Sequence, residues 1–338
     1  MQKVIQRKRI ESLYVLKTIC AFFVVSIHLP QYECLLRAFA GVGTPIFLSI
    51  TGYLLYSYGD TARELKKCTS WARKSFFLAL TFNIIYGVFL YLMFDENILT
   101  SGVRIIKSLV LGTGIVPYLW YLTALWEALL LLWLIIKYVP RLIYFLPLFY
   151  ILAYILRSYE DGVFFTYANF DFYSTTFRNT FIVTSIPFLA TGYLIHKYHE
   201  KILKLINVNF WLVVAILFAT LEYYIRIDMF GKCSYFMLST WPLIVLLMLI
   251  CIKYQDFTLP ILGNIGRNHS PNIYYFHGLF IWVINTYHLE DYNFFVLALG
   301  VYAACLPCSY VYNYISKKWF SYVWEPFVKR KTLLYRKV

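Results

Sequence analysis

Long apolar runs, separated by short polar segments, dominate the chain from Leu13 to Ile315. A helix needs about 20 mainly apolar residues to cross a bilayer, because each residue adds only about 1.5 Å. Ten runs approach this length, and they predict an all-α, polytopic integral membrane protein with a single transmembrane domain over residues 1–338. The predicted spans lie near residues 13–29, 38–56, 75–94, 116–136, 142–156, 181–196, 210–225, 235–252, 271–287 and 294–315.

Basic residues between the runs predict the orientation of the spans. If the N-terminus is cytoplasmic and the spans alternate, 23 Lys and Arg residues face the cytoplasm and seven face the outer side. Basic loops are preferentially cytoplasmic, so this asymmetry predicts an even number of spans with both termini cytoplasmic. The net charge of +14 is therefore interpreted as a topology signal, and no nucleic-acid partner is expected.

The overall composition agrees with a membrane protein. Hydrophobic residues make up 61% of the chain and charged residues 14%, whereas soluble domains have about 45–50% and about 25%. The seven cysteines lie mostly within apolar runs, which indicates packing residues rather than a disulfide framework. No metal site is expected, because the histidines lack nearby carboxylate or cysteine ligands at typical spacing.

A few ionisable residues lie inside the predicted spans, where such groups are costly and usually face a cavity or a partner. Lys17 and His28, in the first span, are eleven residues apart. This distance is about three helical turns, so a helix places both on one face about 16 Å apart. A histidine can accept a proton near neutral pH, and a lysine can bind a phosphate. The first span therefore predicts an anion-binding group and a general base on one helix.

The other intramembrane groups keep two interpretations each. His277 is either a second site residue or a packing histidine. Glu127 is either a carboxylic acid hydrogen-bonded to a neighbouring helix or a partner of Lys17. Glu222 and Arg226, four residues apart near a helix end, predict a local ion pair rather than a site.

Four short motifs follow one another along the chain. Lys17 and His28 are separated by ten residues in the first span, and GTPIFLSITGYLLY lies in the second span. The stretch YLWYLTAL comes next, and IYYFH ends at His277. These motifs resemble, in the same order, those of the membrane acyltransferase-3 family. In that family arginine is found at the place of Lys17, serine is usual at the place of Thr51, and histidine is often found at the place of Tyr118.

This resemblance implies an O-acyltransferase of the cytoplasmic (inner) membrane of a bacterium. The expected donor is acyl-CoA, most often acetyl-CoA, as a co-substrate that is not bound permanently. The expected acceptor is a hydroxyl of a cell-surface or lipid-linked glycan, and membrane lipids are expected to surround the chain. The sequence does not decide whether the protein forms a homo-oligomer, or whether the acyl group is transferred directly or through a covalent acyl-enzyme.

The resemblance also implies roles for individual residues. His28 is expected to be the catalytic base. Lys17 and the basic pair Arg73 and Lys74, in the stretch WARKSF, are expected to bind the CoA phosphates. The candidates for lining the site are Thr51, Tyr53, Trp120, Tyr121, Glu127 and His277.

A lipid-linked glycan flippase is the main alternative, because such transporters also combine ten or more spans with a few buried charges. A flippase moves sugar without releasing CoA, so consumption of the thioester separates the two functions. The segment between Arg157 and Arg178 is rich in aromatic and acidic residues. It suits either a sugar-binding loop or an interfacial loop with anchoring tyrosines.

Overall fold

The computed structural model describes residues 9–29, 35–94, 98–111, 115–160, 181–230 and 237–319. Helices form most of these ranges, and no strand occurs within them. The α-helices in chain order are α1 (Glu11–Ser26), α2 (Leu36–Ala40), α3 (Gly43–Leu55), α4 (Thr61–Phe94), α5 (Ile98–Leu111), α6 (Trp120–Tyr138), α7 (Phe149–Glu160), α8 (Phe181–Thr184), α9 (Ile186–Leu205), α10 (Val208–Phe230), α11 (Thr240–Lys253), α12 (Pro260–Asn268), α13 (Ser270–Thr286) and α14 (Phe294–Trp319).

The predicted all-helical membrane class is confirmed for the described residues. Five helical segments are long and apolar enough to cross a membrane by length and composition: Ala38–Leu55, Thr61–Met93, Trp120–Tyr138, Val208–Met229 and Phe294–Ser316. The apolar helix α11 is shorter. Every predicted span overlaps at least one helix, but the count of ten and the cytoplasmic location of both termini stay predictions.

The outer helices expose apolar rather than polar surface. In α4, α10 and α14 only 28%, 22% and 22% of the most apolar 18-residue segment is buried inside the protein. The segment Ala38–Leu55 is instead 83% buried. Exposed leucines such as Leu92, Leu217 and Leu299 belong to these outer helices. Large contiguous apolar surfaces are rare on soluble monomers, so these faces are suited to contact with lipid.

Two helix boundaries differ from the predicted spans for local reasons. The span expected near residues 75–94 begins earlier, because Asp60 accepts a hydrogen bond from the amide of Arg63 (3.0 Å) and supports the helix start at Thr61. The span expected near 142–156 is divided, because Pro140 begins one short 3₁₀ turn and Pro147 lies within a second one, both before α7. A hydropathy pattern reports apolar length and misses both effects.

Helix α1 lies in the middle of the bundle, with α3, α11, α12, α13 and α14 packed against it. Side-chain hydroxyls attach it to neighbouring backbones: Ser12 Oγ donates to the carbonyl of Cys251 (2.6 Å), and Thr18 Oγ1 donates to that of Leu262 (2.6 Å). Gly266 permits the close approach of α12, since a Cβ there would lie 1.8 Å from the carbonyl oxygen of Tyr14. The helix that carries Lys17 and His28 is thus held from several sides.

Helices α3 and α9 cross at two glycines that occupy the same short sequence, Thr-Gly-Tyr-Leu, at positions 51–54 and 191–194. A Cβ on Gly52 would lie 1.9 Å from the carbonyl oxygen of Leu189, and one on Gly192 would lie 1.8 Å from that of Ser49. The contacts are reciprocal, so the two copies pack around a local two-fold arrangement. Small residues at helix crossings allow this close approach of backbones in membrane proteins.

The Gly52→Ala substitution should destabilise the protein, because the new methyl group meets the backbone of α9 and forces the two helices apart. We expect the free energy of unfolding to fall by about 1–3 kcal/mol, the usual cost of overpacking a well-packed site. The midpoint of thermal unfolding of the purified protein in detergent measures it. Gly300→Ala is the control, since a Cβ there meets nothing within 4 Å; equal midpoints for both variants would contradict the close crossing.

Candidate active site

A cavity of ≈ 210 Å³ lies between α1, α3, α4, α6 and α13. Most of its wall is apolar, and its polar groups are few. The side chains that line it with a polar group are Lys17, Thr51, Ser75, Tyr121, Tyr274 and Tyr275. An apolar cavity with a few converging polar groups is the usual form of a small-molecule site. Two sequence-predicted site residues, Thr51 and Tyr121, therefore share one cavity with Lys17.

Lys17 is the cationic group of this cavity. It is half-buried, and its Nζ lies 5.9 Å from the centroid of the Tyr14 ring. Among the described residues, no carboxylate forms an ion pair with it, and Glu127 does not line the cavity. An ammonium without a counter-ion in a mostly apolar wall is suited to an anionic or strongly polar ligand.

Hydrogen bonds hold two residues of the cavity wall, Thr51 and Tyr121. Thr51 Oγ1 donates to the carbonyl of Phe47 (2.9 Å). The Tyr274 hydroxyl accepts a hydrogen bond from the backbone amide of Tyr121 (3.2 Å), and the two rings pack edge to face with centroids 5.1 Å apart. Tyr121 and Tyr274 thus form one fixed side of the cavity.

A cluster of three rings lies next to this wall. The His28 and His277 centroids are 5.3 Å apart, with the rings tilted by 32°. The ring of Tyr118, from the 3₁₀ turn Pro117–Leu119, lies 4.9 Å from His28 and 5.6 Å from His277. Gly278 leaves space for this tyrosine, because a Cβ there would lie 2.6 Å from the ring. The structure therefore brings together the two histidines that the sequence places about 250 residues apart.

The tautomer of His277 follows from its hydrogen bond. Nδ1 lies 2.7 Å from the carbonyl oxygen of Tyr274, and a carbonyl only accepts, so Nδ1 carries the hydrogen. In the neutral ring Nε2 then has a free lone pair. His277 is fully buried, and Nε2 has no hydrogen-bond partner among the described residues.

Tyr274 connects the cavity and the histidines. Its side chain lines the cavity, its carbonyl holds His277, and its ring lies 5.6 Å from the His277 ring. His28 and His277 themselves do not line the ≈ 210 Å³ cavity. Lys17 lines the cavity and His28 belongs to the neighbouring ring cluster, and Tyr274 contacts both of these regions.

The remaining predicted site residues lie elsewhere. Arg73 and Lys74 are exposed on α4, just before Ser75, which lines the cavity. Tyr53 stacks on His196 with ring centroids 4.1 Å apart, on the side of α3 that faces α9. Trp120 and Glu127, in α6, do not line the cavity, and Oε2 of the buried Glu127 has no hydrogen-bond partner among the described residues.

Sequence reasoning missed several residues around the site, among them Ser75, Tyr118 and Tyr274. A signal existed for two of them. Tyr118 was identified only as a departure from the family motif, and Tyr274 lies within IYYFH, three residues before His277. Residues three apart lie on one face of a helix, so the sequence could have indicated that Tyr274 lies beside His277. The sequence could not have indicated that α4 contacts the cavity through Ser75.

Two other predictions have different outcomes. Glu222 and Arg226 form the expected ion pair, with Oε1 and Nε 3.4 Å apart. The Glu222 carboxylate also accepts hydrogen bonds from the amides of Leu238 and Ser239, next to the start of α11, so its role is structural. The proposed sugar-binding segment lies mostly within residues 161–180, outside the described residues.

Comparison with known proteins adds one match. The family model for an acyltransferase domain of the acyltransferase 3 type matches residues 10–314 of the 338 residues. No curated protein and no solved structure matches the chain. The matched region includes both the cavity and the three-ring cluster.

Replacing Lys17 with Met should raise the midpoint of thermal unfolding by a few degrees, because a half-buried cation that forms no ion pair with the described residues is removed and its apolar stem is kept. Lys17→Arg, which keeps the charge, should not do so. Lys66→Met on the exposed face of α4 is the matched control for loss of one positive charge. A lower midpoint for Lys17→Met would show that this ammonium stabilises the fold.

Proposed function

The chain belongs to the acyltransferase 3 family, and from this membership we propose that it is an integral membrane O-acyltransferase. It moves an acyl group, most often acetyl, from cytoplasmic acyl-CoA to a hydroxyl of a cell-surface or lipid-linked glycan, in the cytoplasmic membrane of a bacterium. The observation that carries the proposal is the pair His28 and His277, 5.3 Å apart, beside a cavity that contains the ammonium of Lys17.

The cavity supports a role in binding part of the donor. Its ≈ 210 Å³ is below the range of about 300–1,000 Å³ that is typical of ligand sites. It is therefore matched to the thioester end of acyl-CoA, with the nucleotide outside. Lys17 then binds a polar or anionic group of the donor. The exposed pair Arg73 and Lys74, which precedes cavity-lining Ser75, is available for the nucleotide phosphates.

His28 acts as the general base in this reaction. It accepts the proton of the acceptor hydroxyl while the hydroxyl oxygen forms a bond to the thioester carbon. The tetrahedral intermediate then collapses, the carbon–sulfur bond breaks, and the proton passes to the departing sulfur, which leaves as CoA thiol. The Tyr121 hydroxyl, in the cavity wall with Thr51, donates to the developing oxyanion. Direct transfer of this kind needs no acyl-enzyme.

Loss of the base should abolish ester formation. We expect His28→Ala to lower ester-linked acetate on the glycan by at least about 100-fold, the lower end of the usual contribution of general-base catalysis. The measurement uses a host that lacks its own glycan acetylation, with base-released acetate quantified by mass spectrometry. His288→Ala, at an exposed residue beyond the end of α13, is the control. Unchanged acetate in His28→Ala would exclude His28 as the base.

The donor role of Lys17 predicts an effect on KM. Lys17→Ala should raise the KM for acyl-CoA by about tenfold or more, because a hydrogen bond to a charged group contributes about 1.5–3 kcal/mol. Lys17→Arg should stay close to the wild type. Release of CoA thiol by the purified protein gives both constants. Sugar movement without CoA release would instead identify a flippase, and equal KM values for the three proteins would remove Lys17 from the donor site.

A further inference from the structure

Nε2 of His277 is a buried acceptor without a hydrogen-bond partner among the described residues. We propose that His277 is a positioning residue for His28: in the reacting complex Nε2 accepts the imidazole N–H of His28, which leaves the second nitrogen of His28 to accept the hydroxyl proton. This inference rests on the proposed acyl transfer and adds a residue role to it.

The backbone determines which nitrogen of His277 is available. Nδ1–H donates to the carbonyl of Tyr274, within the same helix α13, and this bond sets both the tautomer and the direction of the ring. A buried acceptor that stays unsatisfied costs about 1–3 kcal/mol. Nε2 therefore remains available for a donor that the described residues do not supply at rest.

His28 is the neighbour that can supply that donor. An N–H···N hydrogen bond of about 3 Å joins two imidazoles whose centroids are about 5 Å apart, and the observed separation is 5.3 Å. Two nearby tyrosines are less suitable. The Tyr86 hydroxyl already donates to the carbonyl of Tyr275 (3.0 Å), and Tyr118 meets the His277 ring edge to face at 72°.

The proposed arrangement is a series of hydrogen bonds that runs from the Tyr274 carbonyl through His277 and His28 to the acceptor hydroxyl. When the hydroxyl proton moves to His28, the ring becomes an imidazolium, and its other N–H remains bonded to the lone pair of His277. His277 gains and loses no proton in this sequence. The proton then passes from His28 to the CoA sulfur, so both histidines return to their starting state. A carboxylate orients the base histidine of serine proteases in the same manner.

Two substitutions of His277 separate positioning from simple packing. In His277→Asn, the short amide can still donate to the Tyr274 carbonyl but does not reach the Nε2 position. In His277→Gln, the longer amide places an oxygen near that position, which can accept the N–H of His28 but cannot take up a proton. His196→Asn is the matched control, because His196 is also buried and its Nδ1 also contacts a backbone carbonyl, that of Tyr53.

The experiment measures kcat and the KM for acyl-CoA by CoA release from full-length protein in lipid nanodiscs. We expect His277→Asn to lose kcat by about 100-fold or more with KM within about threefold of wild type, as expected for loss of orientation of a general base. His277→Gln should recover kcat to within about tenfold of wild type, and His196→Asn should stay within about threefold.

Three results would overturn the inference. Wild-type kcat in His277→Asn would show that Nε2 has no role. His277→Gln as inactive as His277→Asn would indicate that His277 itself takes the proton. An equal loss in His196→Asn would show that any buried histidine is needed for folding. In each case wild-type CoA release leaves the proposed function intact, whereas no CoA release by the wild type would reject the acyl transfer itself.

Discussion

Hydrogen bonds from side chains to helix carbonyls hold many of the polar residues of this bundle, because an apolar surrounding offers them few other partners. Thr18 reaches the backbone of α12, the hydroxyl of Tyr86 reaches that of α13, and Nδ1 of His277 reaches the carbonyl of Tyr274. Each bond also restricts the position of the helix that carries it. The site is therefore built on side chains whose directions are set by the backbone around them.

Two polar groups that lack such a partner lie at the candidate site. Lys17 has no carboxylate partner within the described residues, and Nε2 of His277 has no donor there. The two groups lie on either side of Tyr274, which lines the cavity with its side chain and holds His277 with its backbone. Glu127 has a similar unpartnered oxygen away from the cavity, and no ligand is assigned to it.

Hydropathy predicted most of the helices, since apolar length is a property of the chain alone, but α5 and α12 lie outside every predicted span. The same pattern could not show where α4 begins, because Asp60 supports a helix start within a basic segment. It also could not show that the short sequence Thr-Gly-Tyr-Leu, present twice, joins α3 to α9 through reciprocal backbone contacts. Those contacts depend on which helices are neighbours, and hydropathy carries no information on that.

By itself, the sequence determined the helical membrane class, the family and the identity of the chemical groups, because span length, motif spacing and residue type are local properties. Only the tertiary structure decided which of these groups meet. In the structure His28 lies beside His277 and Tyr118, and Lys17 lines one cavity with Thr51 and Tyr121. Tyr53 lies away from this cavity and stacks on His196. The physical reason is that residues far apart in the chain are brought together by helix packing, which rests on glycine positions and buried hydrogen bonds.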